Sequence, residues 1–105
     1  MNTGIAIRRI RSALGITQGE FSELTGLSPS MISSLESGDR SLSETALENL
    51  LTVLSLSEEE FDLIAVENIE QFERRYRRLA QMGQNLILKA IATQYSARKK
   101  LGVLA

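Results

Sequence analysis

Residues 17–38 read TQGEFSELTGLSPSMISSLESG, and they carry the start and stop signals of two short helices. Thr17 and Ser28 are hydroxyl residues able to cap a helix start by accepting a hydrogen bond from an otherwise orphan amide. Each follows an apolar residue and precedes another by four positions, Ile16 with Phe21 and Leu27 with Ile32, which is the arrangement of a hydrophobic staple. Glu20 can complete a capping box with Thr17. Pro29 stands at the first position of its helix, where its missing amide hydrogen is not needed. Gly26 and Gly38 follow the two segments and can take the left-handed conformation that ends a helix. The stretch therefore predicts helices over Gln18–Thr25 and Pro29–Ser37, joined by Gly26-Leu27-Ser28.

The same punctuation repeats on both sides. Gly15 ends a helix predicted over Gly4–Leu14; Leu42-Ser43 with Leu47 opens one over Glu44–Leu54; Leu56-Ser57 with Phe61, and Glu60 in the capping-box position, opens one from Glu58 onward. Ile7, Ile10 and Leu14, Phe21 and Leu24, Ile32 and Leu35, then Leu47, Leu50, Leu51 and Leu54 recur at helical spacing. With Leu27, Leu42, Leu56 and Phe61 they form one small core. The one proline is Pro29, and no strand-length run alternates apolar with polar residues, so an all-α fold is expected.

A chain of 105 residues with 43% apolar composition suffices for one compact domain with an extension. It has no cysteine and no histidine, which removes zinc sites built on them, thiol nucleophiles and His-dependent triads. Serine is abundant, but no base, metal cluster or phosphate-cradling glycine loop accompanies it, so an enzyme is not expected and no cofactor or metal is implied. Behind Arg8, Arg9 and Arg11 there is no apolar stretch of signal or membrane length; a cytoplasmic location without membrane contact is the expectation. Net charge is −1, with four basic against six acidic groups up to residue 55 and eight against seven beyond it. Neither half is a strong electrostatic magnet for nucleic acid.

Two short helices at this spacing are those of a helix-turn-helix, whose second helix enters the major groove. With Arg11, Gly15, Thr17-Gln18, Glu20-Phe21-Ser22, Gly26-Leu27-Ser28, Ile32-Ser33-Ser34-Leu35-Glu36 and Gly38 in order, residues 4 to 64 resemble the lambda-repressor and Cro type of regulator, the xenobiotic-response-element family. The resemblance implies a five-helix domain over 1–64 that binds double-stranded DNA. It implies that Thr17 and Gln18 meet a phosphate at a helix start, and that Ser28, Pro29, Ser30, Ser33 and Ser34 lie at or near the groove. It also implies that Arg11 and Glu36 form an internal salt bridge. Pro29 stands where many members place a polar base reader, and Asp39 where a lysine or asparagine is usual. Arg40, with Arg8 or Arg9, is left as the candidate for further phosphate contact.

Beyond Ser57 the apolar residues Phe61, Ala65, Ile69, Phe72, Tyr76, Leu79, Met82, Leu86, Ala90 and Ile91 follow at gaps of mostly three and four, the stripe of an amphipathic helix. Residues 65–105 are therefore expected to form a helical extension, either one long helix or a hairpin broken at Gly83. Phe61, Ile69, Phe72, Tyr76, Leu79, Met82, Leu86 and Ile91 are its expected oligomerisation face. Glu70 with Arg74 and Glu73 with Arg77 read as helical ion pairs. Arg74-Arg75-Tyr76-Arg77-Arg78 reads as a solvated face, with a second nucleic-acid contact as the rival, and Arg98-Lys99-Lys100 as a helix-end cap. The expected function is a sequence-specific regulator, a repressor acting as a homodimer on an inverted repeat; the alternative is an antitoxin or anti-repressor whose tail binds an unlike protein.

Overall fold

A computed structural model of the chain describes residues 2–102, which contain helices and no strand. The helices are α1 (Thr3–Leu14), α2 (Gln18–Thr25), α3 (Pro29–Ser37), α4 (Glu44–Leu54) and α5 (Glu58–Ile64), followed by a 3-10 turn (Ile69–Gln71) and a long α6 (Arg74–Lys100). Thr17, Ser28, Ser43 and Ser57 cap α2 to α5, each hydroxyl accepting a hydrogen bond from the amide three residues on. Glu20 and Glu60 close the two capping boxes. α1 is capped by the Asn2 side chain, which accepts from the Ile5 amide. Gly15, Gly26 and Gly38 end α1 to α3 with φ of 68°, 80° and 86°.

Ala6, Ile7 and Ile10 of α1, Phe21 of α2, Ile32 and Leu35 of α3, Leu50 and Leu54 of α4, and Phe61 and Ile64 of α5 form the buried core. Burying each of the larger side chains contributes roughly 1.5–3 kcal/mol, so this set holds the five helices around one centre.

α5 stops at Ile64 instead of running into the tail. The carbonyl of Ile64, which a continuing helix would engage, accepts a hydrogen bond from Arg9 Nη1 at 2.7 Å, as does that of Val66 at 2.6 Å. Asn68 then caps the 3-10 turn by accepting from the Glu70 amide. The break thus falls between residues 65 and 73, and α6 runs unbroken through Gly83. Gly83 is instead a packing residue: a Cβ there would stand 2.9 Å from Leu63 Cδ2 of α5. Beside it Gln84 is buried and donates to the Leu63 carbonyl at 2.8 Å.

α6 folds back along α1 and α5, and Ile91 joins the core with only 6% of its surface exposed. Residues beyond 64 thus pack on the first five helices through α6. Phe61 and Ile91, expected on an oligomerisation face, belong to the chain's own interior and are removed from that set. Ile69 is half-buried. Phe72, Tyr76, Leu79, Met82 and Leu86 remain exposed, at 40 to 66% of their surface. Glu70 lies outside α6 and pairs with Arg77, at 2.6 Å, in place of Arg74.

Candidate nucleic-acid interface

The start of α2, the outer face of α3 and the turn after it are the parts that a major-groove reader presents to DNA. At α2 the Thr17 hydroxyl accepts from the Glu20 amide at 3.1 Å, and the Glu20 carboxylate accepts from the Thr17 amide at 3.0 Å. These bonds hold the Glu20 carboxyl below the usual carboxylate range, the backbone bond from Thr17 first. Capping uses a lone pair of the Thr17 hydroxyl, and its hydrogen is shared with the Glu20 carboxylate.

On α3, Ile32 and Leu35 face the core, which turns Pro29, Ser30 and Ser33 outward; Ser28 is exposed at the cap and Ser34 is half-buried. The Ser28 oxygen accepts from the Met31 amide at 3.1 Å, so it keeps its hydrogen available. A serine hydroxyl can donate or accept, and a face built from serines reads base edges with less discrimination than arginine or glutamine would. Pro29 fixes the first turn and offers only an apolar ring, suited to a thymine methyl. After Gly38 the Ser34 carbonyl accepts from the amides of Asp39 and Arg40, at 2.9 and 3.2 Å, and Asp39 is held by the Ser37 hydroxyl at 3.0 Å. Arg40 is exposed on this turn.

Behind the face stands Glu36. Its side chain is 2% exposed, and its carboxylate takes a two-pronged contact from Arg11, Nη2 to Oε1 at 2.9 Å and Nε to Oε2 at 3.0 Å. Arg11 also donates to the Ile16 carbonyl at 3.1 Å, and Arg8 approaches Glu36 at 3.4 Å. Burial pushes the Glu36 carboxyl up, but the hydrogen bonds and charge of Arg11, with smaller help from Arg8 and Gln18, outweigh it and hold the group ionised below the usual range. The Arg11 guanidinium is pushed up in turn by its hydrogen bond to Glu36. A buried carboxylate with a bidentate guanidinium is a geometric lock. Here it ties α1, the turn before α2 and Gln18 to α3, and so sets the angle between the start of α2 and the outward serines.

Two expectations change at this site. The Arg9 guanidinium is engaged by the carbonyls of Ile64 and Val66 at the end of α5. Gln18 is half-buried with its amide toward Glu36, which makes it part of the lock as well as of the α2 edge. Sequence reading missed the role of Arg9. An arginine two residues before the last basic residue of a helix carries no signal of which carbonyl, 55 residues away, will meet it.

A family model described as helix-turn-helix matches residues 7–61. No curated protein and no solved structure matches the chain.

Proposed function

We propose, from the premise that this chain belongs to the Cro and lambda-repressor type of the helix-turn-helix family, a family of DNA-binding transcriptional regulators, that it represses transcription by occupying an inverted-repeat operator as a homodimer. The observation that carries this reading is the row of outward hydroxyls on α3, locked against the start of α2 by the Arg11–Glu36 pair. Occupation of a site is the whole mechanism: the serines and Pro29 meet base edges, Thr17, Gln18 and Arg40 meet the backbone, and no bond is made or broken.

A neutral recognition face gives each subunit little affinity, and pairing compensates for it. The exposed stripe of Phe72, Tyr76, Leu79, Met82 and Leu86 supports pairing through α6, and a two-fold dimer would place the α3 helices about one turn of DNA, or 34 Å, apart. Among the described residues no helix is long and apolar enough to cross a membrane, so the stripe is read as a protein contact.

A gel shift with a pool of genomic fragments tests the proposal. Retardation at low salt of fragments sharing an inverted repeat is expected; absence of any retarded fragment would refute DNA reading.

The second reading, in which the tail holds an unlike protein, is favoured by one observation. α6 carries eight basic residues and no acidic one, so two copies laid side by side repel, whereas an acidic partner would be attracted. A stoichiometric second protein on material purified from the native cell would decide for it.

A further inference from the structure

Division of the chain at the start of α6 exposes a charge separation that its net charge conceals. Up to Glu73 there are four basic and thirteen acidic residues; within α6 there are eight basic and none acidic. The cations of α6 oppose pairing only where they face one another. Where they stand relative to the exposed apolar stripe decides how a second copy can lie against it.

α5 borders the stripe on one side. Gly83 of α6 meets Leu63 of α5, and Gln84 donates to the Leu63 carbonyl. Successive residues of a helix turn by about 100°, so going round α6 away from Gly83 the order is Leu79, Leu86, Met82, Lys89 and Arg78. The large apolar side chains come first and the cations last. On α5, Glu59 lies one turn before Leu63 on the same side, with Asp62 and Glu58 next to it. Glu58, Glu59 and Asp62 are exposed and take part in no ion pair among the described residues, and the same holds for Arg78 and Lys89. Arg75 is set apart from that row: its guanidinium lies over the Tyr76 ring, 5.1 Å from the centroid, and donates to the Tyr76 hydroxyl at 3.2 Å. The stripe thus runs between an edge of carboxylates and an edge of cations, both without partners in their own chain among the described residues.

We propose that a second copy covers this stripe with its α6 parallel to the first, about a two-fold axis running along the helix, so that Glu58, Glu59 and Asp62 of each copy meet Arg78 and Lys89 of the other. This rests on the reading above that α6 pairs subunits, and adds the direction of pairing and the residues that impose it. A two-fold axis along α6 brings the left edge of one copy over the right edge of the other, carboxylates over cations on both sides of the apolar seam. An axis across α6 reverses the second helix and lays carboxylates over carboxylates and cations over cations, which costs affinity. At about 1.5 Å per residue, both edges stand within about 10 Å of the level at which Leu63 and Gly83 touch, so long side chains can bridge them. In the parallel pair Leu79 and Leu86 each stand opposite their own counterparts.

The chain has no cysteine, which lets the direction be read by cross-linking in the full chain. A disulfide needs Cα atoms within about 7 Å. Leu79→Cys and Leu86→Cys, each made alone, are both expected to link to themselves under mild oxidation. Linkage only in a mixture of the two variants would mark an antiparallel pair and overturn the proposal, and so would a dimeric variant that fails to self-link. Sedimentation equilibrium should show a dimer of the unaltered chain that weakens as potassium chloride rises from roughly 20 to 500 mM. A dimer that tightens with salt would place like charges at the edges and also overturn it. Arg78→Glu with Lys89→Glu should weaken pairing at low salt by about tenfold or more, and Glu59→Lys with Asp62→Lys added to that variant should restore it. With circular dichroism confirming the fold of each variant, absence of the restoration counts against the proposal. A monomeric unaltered chain would instead overturn the pairing reading on which it rests.

Discussion

A methyl group on Gly4 would stand 2.0 Å from the carbonyl oxygen of Leu35, so α1 crosses α3 with backbone almost touching backbone. No side chain at position 4 can turn aside from that oxygen. Gly4→Ala should gain up to about 1 kcal/mol in helix propensity and lose more than it gains, for a net destabilisation of about 2–3 kcal/mol, because α1 must lift off Ile32 and Leu35. Urea denaturation checks this, and a midpoint equal to or above that of the unaltered chain would contradict it.

Glu36 is expected to act on stability before it acts on base preference. Replacing it by alanine leaves Arg11, whose side chain is 22% exposed, without its partner, at a cost on the order of 3 kcal/mol. The pH dependence follows from the direction of the shift. The folded carboxyl is held below its ordinary value, so the stabilisation is complete above the unfolded value of about 4.3 and is lost as pH falls through the lower folded one. Urea midpoints should stay flat from pH 7 to about 5 and drop below about 4, and Glu36→Gln should make that drop shallower. Glu20, shifted the same way by its capping bonds, contributes in the same direction.

Arg9→Gln removes two charge-assisted hydrogen bonds from the end of α5. A loss of roughly 1.5–3 kcal/mol is expected, with faster amide exchange over residues 65–72 as its local signature. Weakened DNA binding at unchanged stability would instead make Arg9 a phosphate contact.

Ser55 ends α4 in the left-handed region, with φ of 55°, where the other early helices have glycine. Ser55→Gly relieves the steric penalty and adds chain entropy to the unfolded state; the balance favours the variant by about 0.5–1 kcal/mol. Thermal melting should show a rise of a few degrees.

Leu79→Gln with Leu86→Gln should convert a dimer to a monomer, read as mass by light scattering, while helix content is retained because both side chains stand outside the core. A monomeric unaltered chain would remove α6 pairing from the mechanism. Ile91→Gln is the contrast, since it should lower stability first.

The five-helix half was legible in the sequence because its signals are local. A hydroxyl three residues before an amide caps that amide wherever the helix lies, and Gly15, Gly26 and Gly38 adopt left-handed backbone for a reason internal to each residue. The pairing of Arg11 with Glu36 was legible only through family resemblance. The tail was not legible in the same way. Its repeat of three and four is satisfied equally by a helix that pairs with another copy and by one that folds back, and periodicity records neither which face meets which partner nor where a distant side chain such as Arg9 will interrupt it. Only the tertiary arrangement decided that Ile91 and Phe61 are interior, that Gly83 is a contact for Leu63 and not a break, and that Tyr95 and Arg98 near the end of α6 meet Leu14, Leu24 and Val53, because each depends on residues far apart in the chain.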